Sequence, residues 1–334
     1  MALTNFAALT PQNKIVWSRE VWRAAREQMF IKRFLGTGTD SMIQRITELT
    51  KTEKGDQVLM HLVGELQSDG IVGDSEREGF EEAMQSYSLT LNIDLLSHQV
   101  RNKGKLADQK TIINFRVTAR DNLAYWLANR VDQLAFLTLS GISYAYKTNG
   151  AARVGSALPT LSFAADVSAP TPNRHRRWIG ASSTLAAGDT TAIVATDTPS
   201  YAMIVQLLAY AKTRHSKPLS SGGKEYYMLL MHPQAVAKLK LDKDYLAAVT
   251  NAGKRGEDNP FFSGAVGTVD GAVIHEHSLV YNTSGAASGS KWGATGTIDG
   301  TRTLLCGAQA LGMADLGSPD WVEKTFNYET QQGI

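Results

Sequence analysis

The sequence predicts an α+β fold made of a long two-stranded arm, one long helix and a mixed α/β region, and three stretches carry that expectation. SYSLTLNIDL, residues 86–95, alternates apolar and polar residues without a break. DQKTIINFRVTARDNLAYWLANRVDQLAFLTLSG, residues 108–141, runs at helical spacing with no internal proline or glycine. Beyond residue 200, helix-like and strand-like runs alternate.

Taken in order, WSREVWRAAREQMFIKRF (17–34) places Val21, Trp22, Ala25 and Met29 on one helical face and Arg19, Arg23 and Arg26 on the other. With Ser18 as N-cap, a short amphipathic helix is expected. Thr39-Asp40 then opens SMIQRITELTK, a segment with no evident partner nearby.

QVLMHLV (57–63) follows the breaker pair Gly55-Asp56 and is rich in strand formers, so it pairs with 86–95 as an antiparallel arm. Ten extended residues span roughly 33 Å. Tyr87, Leu89, Leu91, Ile93 and Leu95 share one face, which the alternation predicts to be buried. A lone hairpin is marginal in water, and a tip of about 22 residues is too long for a compact-domain turn. The arm is therefore expected to lie on another surface.

Its tip, GELQSDGIVGDSEREGFEE (64–82), sets Glu65, Asp69, Asp74, Glu76, Glu78, Glu81 and Glu82 against the single cation Arg77. These acids lack the alternate-position spacing of an EF-hand calcium loop. A solvated loop, or one that meets a partner, remains.

The long helix is expected over 109–140, roughly 48 Å, with Asp108 as N-cap and Gly141 as stop. Ile113, Val117, Ala124, Leu127, Val131 and Leu134 form one apolar row, and Ile112, Phe115, Ala119, Leu123 and Trp126 the next. From 142 to 200 the composition is Ala, Gly, Ser, Thr and Pro, a loop-rich excursion whose densest charge is RHRR at Arg174, His175, Arg176 and Arg177. There follow a helix over 200–213, a strand over 225–231, a helix entered through Pro233, and a hairpin around Val269-Asp270-Gly271-Ala272. This α/β part closes near Cys306, and WVEKTFNYE (321–329) reads as one last strand.

Global features narrow the function. Net charge is +2 with a pI near 8.5, too mild for a dedicated nucleic-acid binder. The single cysteine excludes an intrachain disulfide and fits a reducing compartment. MALTNFAALT is no secretion signal, and the densest apolar run, 201–211, falls short of the roughly 20 residues a bilayer requires.

Enzymatic constellations are weak. His275 and His277 could bind zinc from one strand face, but no third ligand is identifiable. SSGGKE (220–225) lacks the spacing of a phosphate loop. Cys306 lies in an apolar run, as a buried inert thiol does. No cofactor is expected. A metal-dependent enzyme using His275 and His277, or a nucleic-acid-binding module using Arg174 to Arg177, stay open as alternatives.

Several stretches point elsewhere: WSREVWRAAR (17–26), DSMIQRITELTKTEKGDQV (40–58), EREGFEE (76–82), residues 100–141, and NPFFSGAVGTVDGAVIHEHSLV (259–280). In these the chain resembles the major capsid proteins of tailed double-stranded DNA phages, which share the Hong Kong 97-type fold, and most of all the coliphage N-four type. The resemblance implies an N-terminal arm (1–54), an extended hairpin loop overlapping a neighbouring subunit (55–105), and a peripheral domain with the spine helix and the excursion (106–199). An axial domain (200–315) and a C-terminal strand and tail (316–334) complete it.

It also implies a non-enzymatic protein that self-assembles into the icosahedral head enclosing phage DNA. Its partners would be other copies of itself in hexamers and pentamers, a separate scaffolding protein, a portal, a decoration protein, and DNA held without sequence specificity, with no membrane. It would assemble in the host cytoplasm and reside in the virion. The acidic tip is expected to contact another copy, with Arg174, Arg176 and Arg177 as the matching cations. Some capsids of this fold cross-link through a lysine in the extended loop, but 64–82 contains none, so a non-covalent shell is expected. The chain opens directly on its arm, which also favours a separate scaffold.

Overall fold

The computed structural model describes residues 29–46, 57–63, 66, 68–73, 78–79, 81–84, 86–110, 114–221, 223–251, 268–314 and 319–334. A 3-10 turn, Ile31–Phe34, leads into strands β1 (Leu35–Gly36), β2 (Ile43–Ile46), β3 (Gln57–Val63) and β4 (Ser86–Asn92). Helices α1 (Lys105–Gln109) and α2 (Phe115–Ser140) precede β5 (Arg176–Ile179) and β6 (Thr184–Ala187). Helix α3 (Tyr201–Thr213), β7 (Leu219–Ser221), β8 (Lys224–Met231), α4 (Pro233–Lys240) and α5 (Lys243–Asn251) come next. The chain ends with β9 (Thr268–Val269), β10 (Ala272–Glu276), β11 (Leu304–Cys306), β12 (Leu311–Ala314), β13 (Lys324–Phe326) and β14 (Gln331–Gly333). The helix expected over 17–34 lies outside the described residues up to residue 28.

The β8 sequence explains the main sheet. Tyr227, Leu229 and Met231 join a core with Met203 and Leu208 of α3 and Val236 and Leu239 of α4. The alternate residues Tyr226, Met228 and Leu230 pack with Phe136, Ile43, Val280 and Cys306. Both faces are covered, so the strand reads as a continuous apolar run. Its neighbours are β10, in parallel, and the antiparallel β11 and β7. The expected hairpin joins β9 and β10: Asp270 and Gly271 both have positive φ, 48° and 87°, as a two-residue turn requires.

The segment at 41–51 had no evident partner in the sequence. Its Ile43–Ile46 lies between β1 and β12, parallel to both, in a ladder spanning almost the whole chain.

The spine helix is shorter than expected. Asp108 falls inside α1, and α2 begins at Phe115, where the Asn114 side chain accepts from the N–H groups of Arg116 and Val117. Residues 111–113, expected within the helix, lie outside the described residues. The 26 residues reach about 39 Å. The stop is as expected, with Gly141 left-handed at φ 63°. The buried stripe is Ala119, Ala124, Ala128, Asp132, Phe136, Leu137 and Ser140, while Val117 of the expected apolar row is exposed.

The tail is not one strand over 321–329. Asn327, Tyr328 and Glu329 all have positive φ, so the chain turns there and β13 pairs with β14. Val100 and Ile334 exchange backbone hydrogen bonds at 2.9 Å, which fixes the tail beside the base of the hairpin. Among the described residues no helix is long and apolar enough to cross a membrane.

Candidate assembly interface

The expected antiparallel arm is present. Strands β3 and β4 pair from Gln57↔Asn92 to Val63↔Ser86, and among the described residues neither pairs with any other strand. Its root is held by two carboxylates. Asp166, at the end of the Ser162–Asp166 turn, accepts from the backbone N–H of Asn92 at 2.9 Å and from its side-chain amide. Asp94 accepts from the N–H of Ser162 at 2.7 Å. That bond, followed by the one from Leu95, holds the Asp94 carboxyl below the usual range. The excursion thus anchors the arm, a role that single residues in a loop-rich stretch did not reveal.

The face expected to be buried is partly open: Leu89 is exposed and Leu95 is 84% exposed, while Leu91 and Ile93 are half-buried. The tip adds Leu66, Met84 and Val72, the last at 88%. Of the seven tip acids, Asp69, Glu78, Glu81 and Glu82 are described and exposed, while Glu65, Asp74 and Glu76 lie outside the described residues. Glu82 reaches back across the loop to accept from the Ser68 N–H at 2.8 Å, and Glu81 accepts from Gly79.

The arginine cluster belongs to a strand rather than to a loop. Arg176 and Arg177 open β5, which pairs with β6, and Arg174 precedes it, exposed. The Arg176 guanidinium lies 4.3 Å from the Tyr210 ring centroid and donates to its hydroxyl. Arg177 donates to the Ala192 carbonyl. Among the described residues no ion pair joins Asp69, Glu78 or Glu81 to these three arginines, so one chain does not bring the two groups together.

His275 and His277 do share a face, but it is an aromatic one. His277 lies 4.2 Å from the Phe30 ring and 5.0 Å from Phe136, and His275 lies 5.2 Å from Phe34. Burial, then the charge of Arg33, pushes the His277 imidazole down to about 4. Among the described residues no three His, Cys, Asp or Glu side chains are grouped to hold a metal. The SSGGKE segment is the turn between β7 and β8. Cys306 is fully enclosed, and burial pushes its thiol up to about 12. The two histidines and Cys306 are packing residues.

Comparison with known proteins agrees with this arrangement. The family described as phage capsid protein matches residues 5–334. The major capsid protein of Pseudomonas phage KPP25 is 52% identical over 333 residues, covering 99% of this chain and 89% of the relative. The capsid of Ralstonia phage GP4 superposes with a TM-score of 0.73 at 26% identity, over 91% of this chain and 83% of that one. The cyanophage Pam1 capsid asymmetric unit does so with a TM-score of 0.71 at 18% identity, over 100% and 88%, a likeness of fold. The chain belongs to the phage capsid protein family, and its α+β fold is the Hong Kong 97-type capsid fold.

Proposed function

We propose that this chain is the repeating, non-enzymatic subunit of an icosahedral head, gathered into hexamers and pentamers around DNA held without sequence specificity. Each copy's arm lies on its neighbour. The observation that carries this reading is the arm itself: two strands paired, among the described residues, only with each other, bearing exposed Leu89, Leu95, Val72 and Met84 beside a run of carboxylates. Such a ribbon is marginal alone, and its apolar face gains stability once another copy covers it. A separate scaffolding protein, a portal and a decoration protein complete the assembly, which takes place in the host cytoplasm.

The acidic tip meets cations on that neighbour. Arg174 is the exposed member of the arginine cluster and the first candidate, with Arg176 and Arg177 adding positive potential behind it. Exposed pairs contribute only about 0.2 to 1 kcal/mol each, yet a closed shell repeats every one of them.

Size-exclusion chromatography and negative-stain microscopy of the purified protein test the reading. Megadalton shells are expected, and a stable monomer with bound zinc would refute it. For the contact itself, Glu76→Lys with Glu78→Lys should lower particle yield, as should Arg174→Glu. Combining them should restore part of it; a combination no better than either parent would rule out this pairing.

A further inference from the structure

Between the excursion, the C-terminal end of α2 and the chain at 298–305 lies a cavity of about 700 Å³. Its lining carries five cations, Arg174, Arg176, Arg177, Lys238 and Arg302, against three carboxylates, Asp189, Asp197 and Asp299. Those carboxylates are engaged with other groups. Asp299 pairs with Lys291 at 2.7 Å. Asp197 accepts from the N–H groups of Gly180 and Val194. Asp189 accepts from the N–H and hydroxyl of Thr191, and Arg177 is the weakest of the influences on it. Among the described residues none of the five cations forms an ion pair.

Arg302 is the most demanding of them. Its Nη1 donates to the Ser140 carbonyl and its Cζ lies 5.8 Å over the Tyr281 ring, but its Nε is buried without a partner. Burial lowers its basicity, and burial followed by the Arg302 charge holds the His175 imidazole below its usual range. A buried cation with no counter-charge is costly.

The charge left uncompensated in this lining is positive, so what completes it is a compact anion with several acceptor oxygens. Guanidinium forks match that geometry.

We propose that the cavity binds an oxyanion of the phosphate class, held by the guanidinium groups of its lining, Arg302 and Arg177 first among them. The space is within the roughly 300–1,000 Å³ typical of ligand pockets, which leaves room for more than one phosphate group. A soluble phosphate compound and the phosphodiester of packaged DNA present the same chemistry. Occupancy joins α2, the excursion and the approach to β11, three segments remote in sequence, and so rigidifies the subunit where they meet.

Isothermal titration of the full chain with sodium pyrophosphate, at constant ionic strength against a chloride control, tests the site. Saturable binding is expected. Arg302→Gln and Arg177→Gln should each weaken it about tenfold or more, with folding verified by circular dichroism. Arg302→Lys, which keeps the charge but loses the planar fork, should weaken it several-fold and guards against a folding defect in the glutamine variants. Competition by a short DNA duplex would assign the phosphodiester as the source, and its absence a soluble phosphate; either upholds the site. No saturable heat, equal affinity for citrate, or unchanged affinity in all three variants would overturn it.

Discussion

Asp132 sits on the buried stripe of α2, one turn from Ala128 and one from Phe136, and is only 4% exposed. Its carboxylate accepts from the N–H groups of Phe30 at 2.9 Å and Ile31 at 3.2 Å. The 3-10 turn that starts there has no side-chain cap of its own, so a residue about a hundred positions away supplies one. Asp132→Ala orphans two buried donors and should cost about 2 to 4 kcal/mol in urea denaturation, and Asp132→Asn about half of that. A loss within error for both would show that the contact carries no stability. His277, in the neighbouring aromatic stack, gives a pH dependence with a definite sign. Unfolded, it takes up its proton near 6.5; folded, only near 4. Between those values the unfolded state binds more protons, so stability falls as pH drops through that window. His277→Phe, which keeps the ring stack, should flatten the slope of Tm against pH there; an unchanged slope would assign it to other groups. Sequence could have flagged Asp132 as an acid on an apolar stripe. The stacking partners of His277 could not be read, because Phe30, Phe136 and His277 come together only in the folded chain.

Elements with local signals were legible, and those set by distant partners were not. Ser200 and His232 accept the first-turn bonds of α3 and α4, Pro233 opens α4, and Asp270-Gly271 makes its turn, all from residues inside or next to each element. The start of α2 differs from the expected one because Asp108 and Asn114 are both good cap types, and it is Asn114 that accepts from the N–H groups of Arg116 and Val117. The reversal at 327–329 places three non-glycine residues in the left-handed region, which propensity gives no reason to expect. The arm was visible in its alternation, but its tether was not. Asp166→Ala should therefore leave the global Tm nearly unchanged while speeding hydrogen exchange of the Asn92 amide, whose acceptor it removes. Exchange as slow as in the parent would mean that the arm is held some other way.

At the scale of the whole molecule, the uncovered arm face and the acidic tip make sense only in an assembly. The alternation in β4 predicts a buried face, and in one chain Leu89 and Leu95 on that face are open. The absence of lysine from 64–82 carries through to the shell. Mature particles should run as a single monomer band on denaturing gels, and a ladder of higher bands would contradict a non-covalent lattice. The central claim is that the arm tip serves the neighbour and not the fold. Deleting residues 66–80 and measuring helical circular dichroism and particle yield on the same preparation tests it most directly. An unchanged spectrum with particle yield reduced at least tenfold is predicted; shells at normal yield would contradict the claim.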